Sequence, residues 1–181
     1  MNYNLQPLDS AIAANDKTST ASLSDELVRA LYHQPSSFTI AMMEKLMKDL
    51  RAKRMFQTMI KIGDACMQTG IVSLKVRRQY AQSLIEEKIL TAAIKILDEI
   101  VSETETSTDA AALFERTEAL GLTGRVYKQL YILVGNEDNQ HATGYIQKAF
   151  DAYDKVYQSD PGKYLWHGIN AVAMASRAKA D

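Results

Sequence analysis

Ile60-Lys61-Ile62 recurs as Ile94-Lys95-Ile96, 34 residues further along the chain. The neighbours keep the same register: Leu46 answers to Tyr80, Met47 to Ala81, Leu50 to Leu84 and Met59 to Ala93. A repeated tripeptide alone is cheap coincidence. One whose flanking positions also match in class marks a repeating helix hairpin of that length. Each hairpin buries its apolar face only by stacking on the next, and the stacked array presents a surface suited to holding other molecules.

The rest of the sequence is compatible with such an array. Its 181 residues are 46% hydrophobic and 24% charged, ordinary values for one globular domain or a domain with a tail. Three prolines and eight glycines leave long helices few interruptions. The net charge of −1 gives no global pull toward nucleic acid or an anionic membrane. The single cysteine, Cys66, excludes an internal disulfide and fits a reducing, cytoplasmic setting. It falls among Ile62, Ala65 and Met67 and reads as inert core. No apolar run of about 18 residues predicts a membrane span, and the N-terminus does not read as a secretory signal.

Apolar spacing predicts the elements. Residues 1–22 are rich in Asn, Ser, Thr, Asp and Ala and read as a flexible or partner-ordered tail, ahead of a helical-repeat domain over 23–181. A leading helix is expected over 23–33, capped by Ser24 and broken at Pro35, with Ser36 or Ser37 starting the next. The first pair is 38–51, with Met43, Leu46, Met47 and Leu50 on one face, and 53–68, closed by Gly70. The second is 73–87 and 89–102. Asp109 is placed to cap a long helix over about 110–134. A loop over 135–139, a helix over 141–159, a stop at Ser159-Asp160-Pro161-Gly162 and a last helix from about 163 to 178 complete the chain. No segment alternates with period two, so no sheet is expected.

The third pair carries a more particular pattern. Gly124 and Tyr127 match the Gly-x-x-Tyr of a tetratricopeptide first helix, and Ala149, Tyr153, Val156 and Pro161 stand at second-helix spacing. Between Gly124 and Ala149 lie 13 more residues than the plain pattern has, so a longer helix and a larger loop are expected there. The run Leu120 to Tyr131, with Ala149 to Tyr153, Pro161 and Gly168-Ile169-Asn170, resembles bacterial tetratricopeptide proteins related to the TRAF-binding regulatory segment of the stress-activated MAP kinase kinase kinases. The resemblance is strongest over about 115–178 and generic over 38–106. It implies a non-catalytic regulatory scaffold, either one piece of a multi-domain chain or a stand-alone adaptor. The expected fold is all-α: a tetratricopeptide-like solenoid of antiparallel helix pairs, about three in number, with a leading helix and an unpaired last helix.

Reactive constellations are not visible. His33, His141 and His167 show no metal-ligand spacing, and the Glu137 and His141 pair fits a helix entry better than a metal site. Gly121-Leu122-Thr123-Gly124-Arg125 lacks the preceding strand and the Gly-Lys-Ser/Thr ending of a phosphate loop, so close helix packing explains its glycines. No Gly-x-Ser-x-Gly nucleophile elbow occurs. His167, within Trp166-His167-Gly168-Ile169-Asn170, reads as a packing histidine bonded to nearby backbone or Asn170. No enzyme activity, cofactor, metal, nucleic acid or membrane partner is expected.

Binding is the function that remains. The repeat register sets Glu44, Lys48 and Arg51, then Lys75, Arg78 and Gln82, then Arg125, Lys128 and Gln129 on the concave face. Six of these nine are basic, which favours an acidic or phosphorylated protein segment, or a companion domain, since arginine holds such oxygens in pairs. A second expectation concerns the last helix. Val172, Met174 and Ala175 need a partner that the sequence does not supply, so Trp166, Val172 and Met174 are placed at a surface for a companion domain or a homo-oligomer. A structural oligomerisation module with an empty concave face is the alternative.

Overall fold

The computed structural model describes residues 3–134 and 139–178, and these are all-α, with no strand among them. Contacts divide the chain into two compact units, Met1–Ile89 and Leu90–Asp181. The first holds α1 (Gln6–Ala13), α2 (Lys17–His33), α3 (Ile40–Ala52), α4 (Phe56–Thr69) and α5 (Leu74–Glu86). The second holds α6 (Leu90–Glu103), α7 (Ala110–Val134), α8 (Asn139–Ser159) and α9 (Leu165–Ala178). The expected loop over 135–139 falls largely outside the described residues.

The repeat is kept to the residue. α3 and α5 begin and end 34 residues apart, and so do α4 and α6. The local causes repeat as well. Thr39 and Ser73 each accept a hydrogen bond from the amide three residues on, Met42 and Val76, satisfying one orphan donor of the helix start. Arg54 and Lys88 both turn the hairpin in the left-handed region, at φ 56° and 65°. Gly70 ends α4 at φ 75°, a conformation that costs a glycine nothing. Met43, Leu46, Met47 and Leu50 of α3 and Met59, Ile62 and Cys66 of α4 then bury completely or nearly so.

The chain departs from the expected tail. α1 starts at Gln6, again 34 residues before the start of α3, and Leu8, Ala11 and Ile12 are buried. The leading helix starts at Lys17, where the Asp16 carboxylate accepts from the Ser19 amide at 3.0 Å and the Ser19 hydroxyl at 2.7 Å. Ser24, expected as the cap, lies inside α2 and is fully buried, as Thr20 is nearly so. Small hydroxyl residues supply part of the buried face there, which hides its amphipathicity from a hydrophobic count. α1 and α2 therefore add a hairpin ahead of the expected pairs, and the boundary expected at 22/23 falls inside α2. The next helix starts from Thr39 rather than Ser36 or Ser37, because Pro35–Ser37 close a 3-10 turn first.

Unit two is built on close approaches. A Cβ on Gly124 would lie 2.8 Å from the Tyr153 ring, one on Gly168 2.6 Å from Tyr157, and one on Gly121 2.8 Å from His167 Nε2. Ala149, Tyr153, Ala171 and Met174 form a buried cluster, with Tyr127 and Phe150 packed on it. This corrects the expectation for the last helix. α9 packs against α8, and Met174, only 8% exposed, faces into that cluster rather than outward. The α9 stripe that does face out is Leu165, Ile169 and Val172.

Candidate functional site

α7 and α9 run parallel in unit two. Gly121 lies beside His167, Lys128 Nζ reaches Asn170 Oδ1 at 3.4 Å, and Arg177 Nε donates to the Tyr131 hydroxyl at 3.2 Å. Between them opens a trough of about 410 Å³. Its α7 wall is Glu118, Gly121, Leu122, Arg125, Lys128 and Gln129, spaced as one face of a helix. α8 supplies Tyr153, and α9 supplies Trp166 and His167.

The trough is aromatic at its centre and charged at its ends. Trp166, the chain's only tryptophan, is 56% exposed. Tyr153 meets it edge-on at 5.7 Å between ring centroids, and His167 meets it edge-on at 5.0 Å. The Tyr153 hydroxyl and His167 Nδ1 are buried and find no hydrogen-bond partner among the described residues. Such orphaned polar atoms are rare in packed cores and cost free energy. Burial pushes the Tyr153 hydroxyl up to about 12, with the Arg125 guanidinium pulling the other way. Burial also lowers the His167 pKa below its ordinary 6.5, opposed by the Glu118 carboxylate. The expected bond between His167 and Asn170 is absent; the Asn170 amide donates to the Trp166 carbonyl at 2.8 Å.

The predicted groove residues are not equally placed. Arg125, Lys128 and Gln129 share the trough wall. In unit one Lys48 and Arg51 are exposed on α3, and Arg51 donates to Gln82 Oε1 of α5 at 3.4 Å. Lys75 is paired with Glu44 at 3.1 Å, and the Ser73 hydroxyl donates to the same carboxylate at 2.7 Å. Burial works against the charge of Glu44, yet these hydrogen bonds bring its pKa below the usual value. Arg78 departs from the expectation: it is 6% exposed, because α5 packs against both α3 and α4 and buries most of its circumference. Of the docking residues, Trp166 and Val172 face solvent and Met174 does not.

Other reactive groups stay apart. Cys66 is fully buried, and burial pushes its thiol up to about 12. Among the described residues no group of three His, Cys, Asp or Glu side chains could hold a metal, and no helix is long and apolar enough to cross a membrane. Glu137 lies outside the described residues.

Helix hairpins with a 34-residue register, small-residue approaches under aromatic rings and all-α content define a tetratricopeptide-type repeat protein, a class that typically mediates protein interactions without catalysing reactions. The particular family follows: the Tetratricopeptide Repeats-Sensor model matches residues 40–175, most of the chain, and the chain belongs to that family. No curated protein and no solved structure matches.

Proposed function

We propose that this chain is a non-enzymatic interaction module that captures an acidic or phosphorylated segment of a protein partner or companion domain, with recognition centred on the trough of unit two. The observation that carries the reading is the convergence of Arg125 and Lys128 on a trough that also exposes Trp166. Two cations beside an apolar platform suit a carboxylate or phosphate attached to a side chain with some bulk. The family's description as a sensor fits a module that reads a partner and passes the signal on. The likeness of residues 120–131 and 149–153 to the TRAF-binding regulatory segment points the same way, to a regulatory scaffold in a bacterial cytoplasm. Lys48 and Arg51 offer a further cationic strip within unit one, whereas Lys75 is already neutralised by Glu44.

The test is capture of this protein on an immobilised glutamate-rich peptide at low and high salt. Binding should fall as salt rises, because exposed charge attraction is screened within about 10 Å at 0.1 M. The Arg125→Glu/Lys128→Glu variant should lose capture while keeping its helical circular dichroism. Undiminished capture by that variant would sink the reading.

A second reading, self-assembly through α9, has its own observation. Leu165, Ile169 and Val172 are exposed at helical spacing and line a cleft of about 330 Å³ with Tyr157. The oligomerisation module therefore keeps Val172 as its contact but loses Met174.

A further inference from the structure

From the trough's charge layout we infer that its occupant is dipolar: an extended peptide segment with an acidic group at one end, a basic group about three residues away, and an apolar side chain between. This deepens the acidic-capture reading and rests on it. The argument starts from α7. Glu118, Leu122 and Arg125 fall on one face of that helix, at i, i+4 and i+7. Seven residues of helix advance about 10.5 Å along the axis. An extended chain covers that span in about three residues, at roughly 3.3 Å each.

The ends of the trough are opposite in sign. Glu118 stands at one end, while Arg125 and Lys128 stand at the other. Between them the surface is apolar and aromatic, from Leu122 across to Trp166. An all-acidic segment long enough to fill the trough would set one of its carboxylates against Glu118. The same carboxylate would draw a lysine or arginine of the segment, so the trough selects against uniform negative charge as well as for a local one. His167, held toward its neutral form by burial, adds no positive charge at the Glu118 end near neutral pH.

Trp166 makes the test direct, because it is the chain's only tryptophan and lines the trough. Its emission is followed while four end-blocked peptides are titrated into the full chain: Lys-Ala-Phe-Asp, Ala-Ala-Phe-Asp, Lys-Ala-Phe-Asn and Asp-Ala-Phe-Asp. Lys-Ala-Phe-Asp should bind tightest, losing about threefold to fivefold when either charged end is neutralised, the range of a partly shielded ion pair. Glu118→Lys should reverse the order, with Asp-Ala-Phe-Asp now tightest, and that gain cannot come from a damaged fold. If Ala-Ala-Phe-Asp and Lys-Ala-Phe-Asp bind alike, and Glu118→Lys favours neither, the dipolar inference is overturned while acidic capture stands. If no peptide carrying an aspartate moves the Trp166 emission, both fall together.

Discussion

Gly124 faces the Tyr153 ring so closely that a Cβ there would lie 2.8 Å from two of its carbons. Tyr153 is fully buried, with Trp166 against it and its hydroxyl already unpartnered, so the ring has little room to retreat. Gly124→Ala should therefore destabilise the protein by about 1–3 kcal/mol, the usual cost of overpacking, measured by urea denaturation. Gly121→Ala meets only the tip of the His167 ring, which can turn, so it should cost less stability than Gly124→Ala. An equal or larger loss at Gly121 would contradict this account of the packing. His167 also sets a pH dependence. Its folded pKa lies below the ordinary value, so the unfolded chain binds the proton more readily. The stability that comes from keeping this ring neutral is present above about pH 6.5 and is lost as pH falls through the folded pKa. Thermal unfolding should shift to lower temperature on acidification through that window, and His167→Gln should flatten the shift.

Among the elements, α5 depends on a residue that serves two partners. The Ser73 hydroxyl accepts from the Val76 amide at 3.2 Å and donates to Glu44 of α3 at 2.7 Å. Ser73→Ala removes both and should cost about 1–2 kcal/mol, with Thr39→Ala, which loses only a cap, costing less. Chemical denaturation of the two variants checks the order. The cap positions were legible as far as the pattern was: helices over 40–52, 56–69, 74–86 and 90–103 follow from apolar spacing within a few residues. α1 and the first turns of α2 were not, because Thr20 and Ser24 bury as small spacers and carry no hydrophobic signal. α9 was legible as a helix, but its buried face was misassigned at Met174, since spacing names a stripe and does not say which neighbour covers it.

For the molecule as a whole, surface chemistry separates two modes of association. Capture through Arg125 and Lys128 is charge-driven in a chain of net charge −1 and should weaken with salt. Association through Leu165, Ile169 and Val172 is apolar and should persist or strengthen in salts that favour burial. Val172→Glu, at a residue 68% exposed, should abolish concentration-dependent self-association in sedimentation velocity without unfolding the chain, and Arg125→Glu should leave it unchanged. A chain that stays monomeric at every concentration would remove the assembly reading.

Period and small-residue spacing determined the helical-repeat class, because a 34-residue register survives only where each hairpin meets its neighbour in the same way. They also determined that Arg125, Lys128 and Gln129 share a helix face, which is a matter of turns along one rod. Only the folded chain decided that Arg78 is enclosed, that Met174 points inward, and that Glu118 and Trp166 complete the trough. Those outcomes depend on which helices lie beside one another and how closely glycines let them approach, distances that pass between residues far apart in sequence.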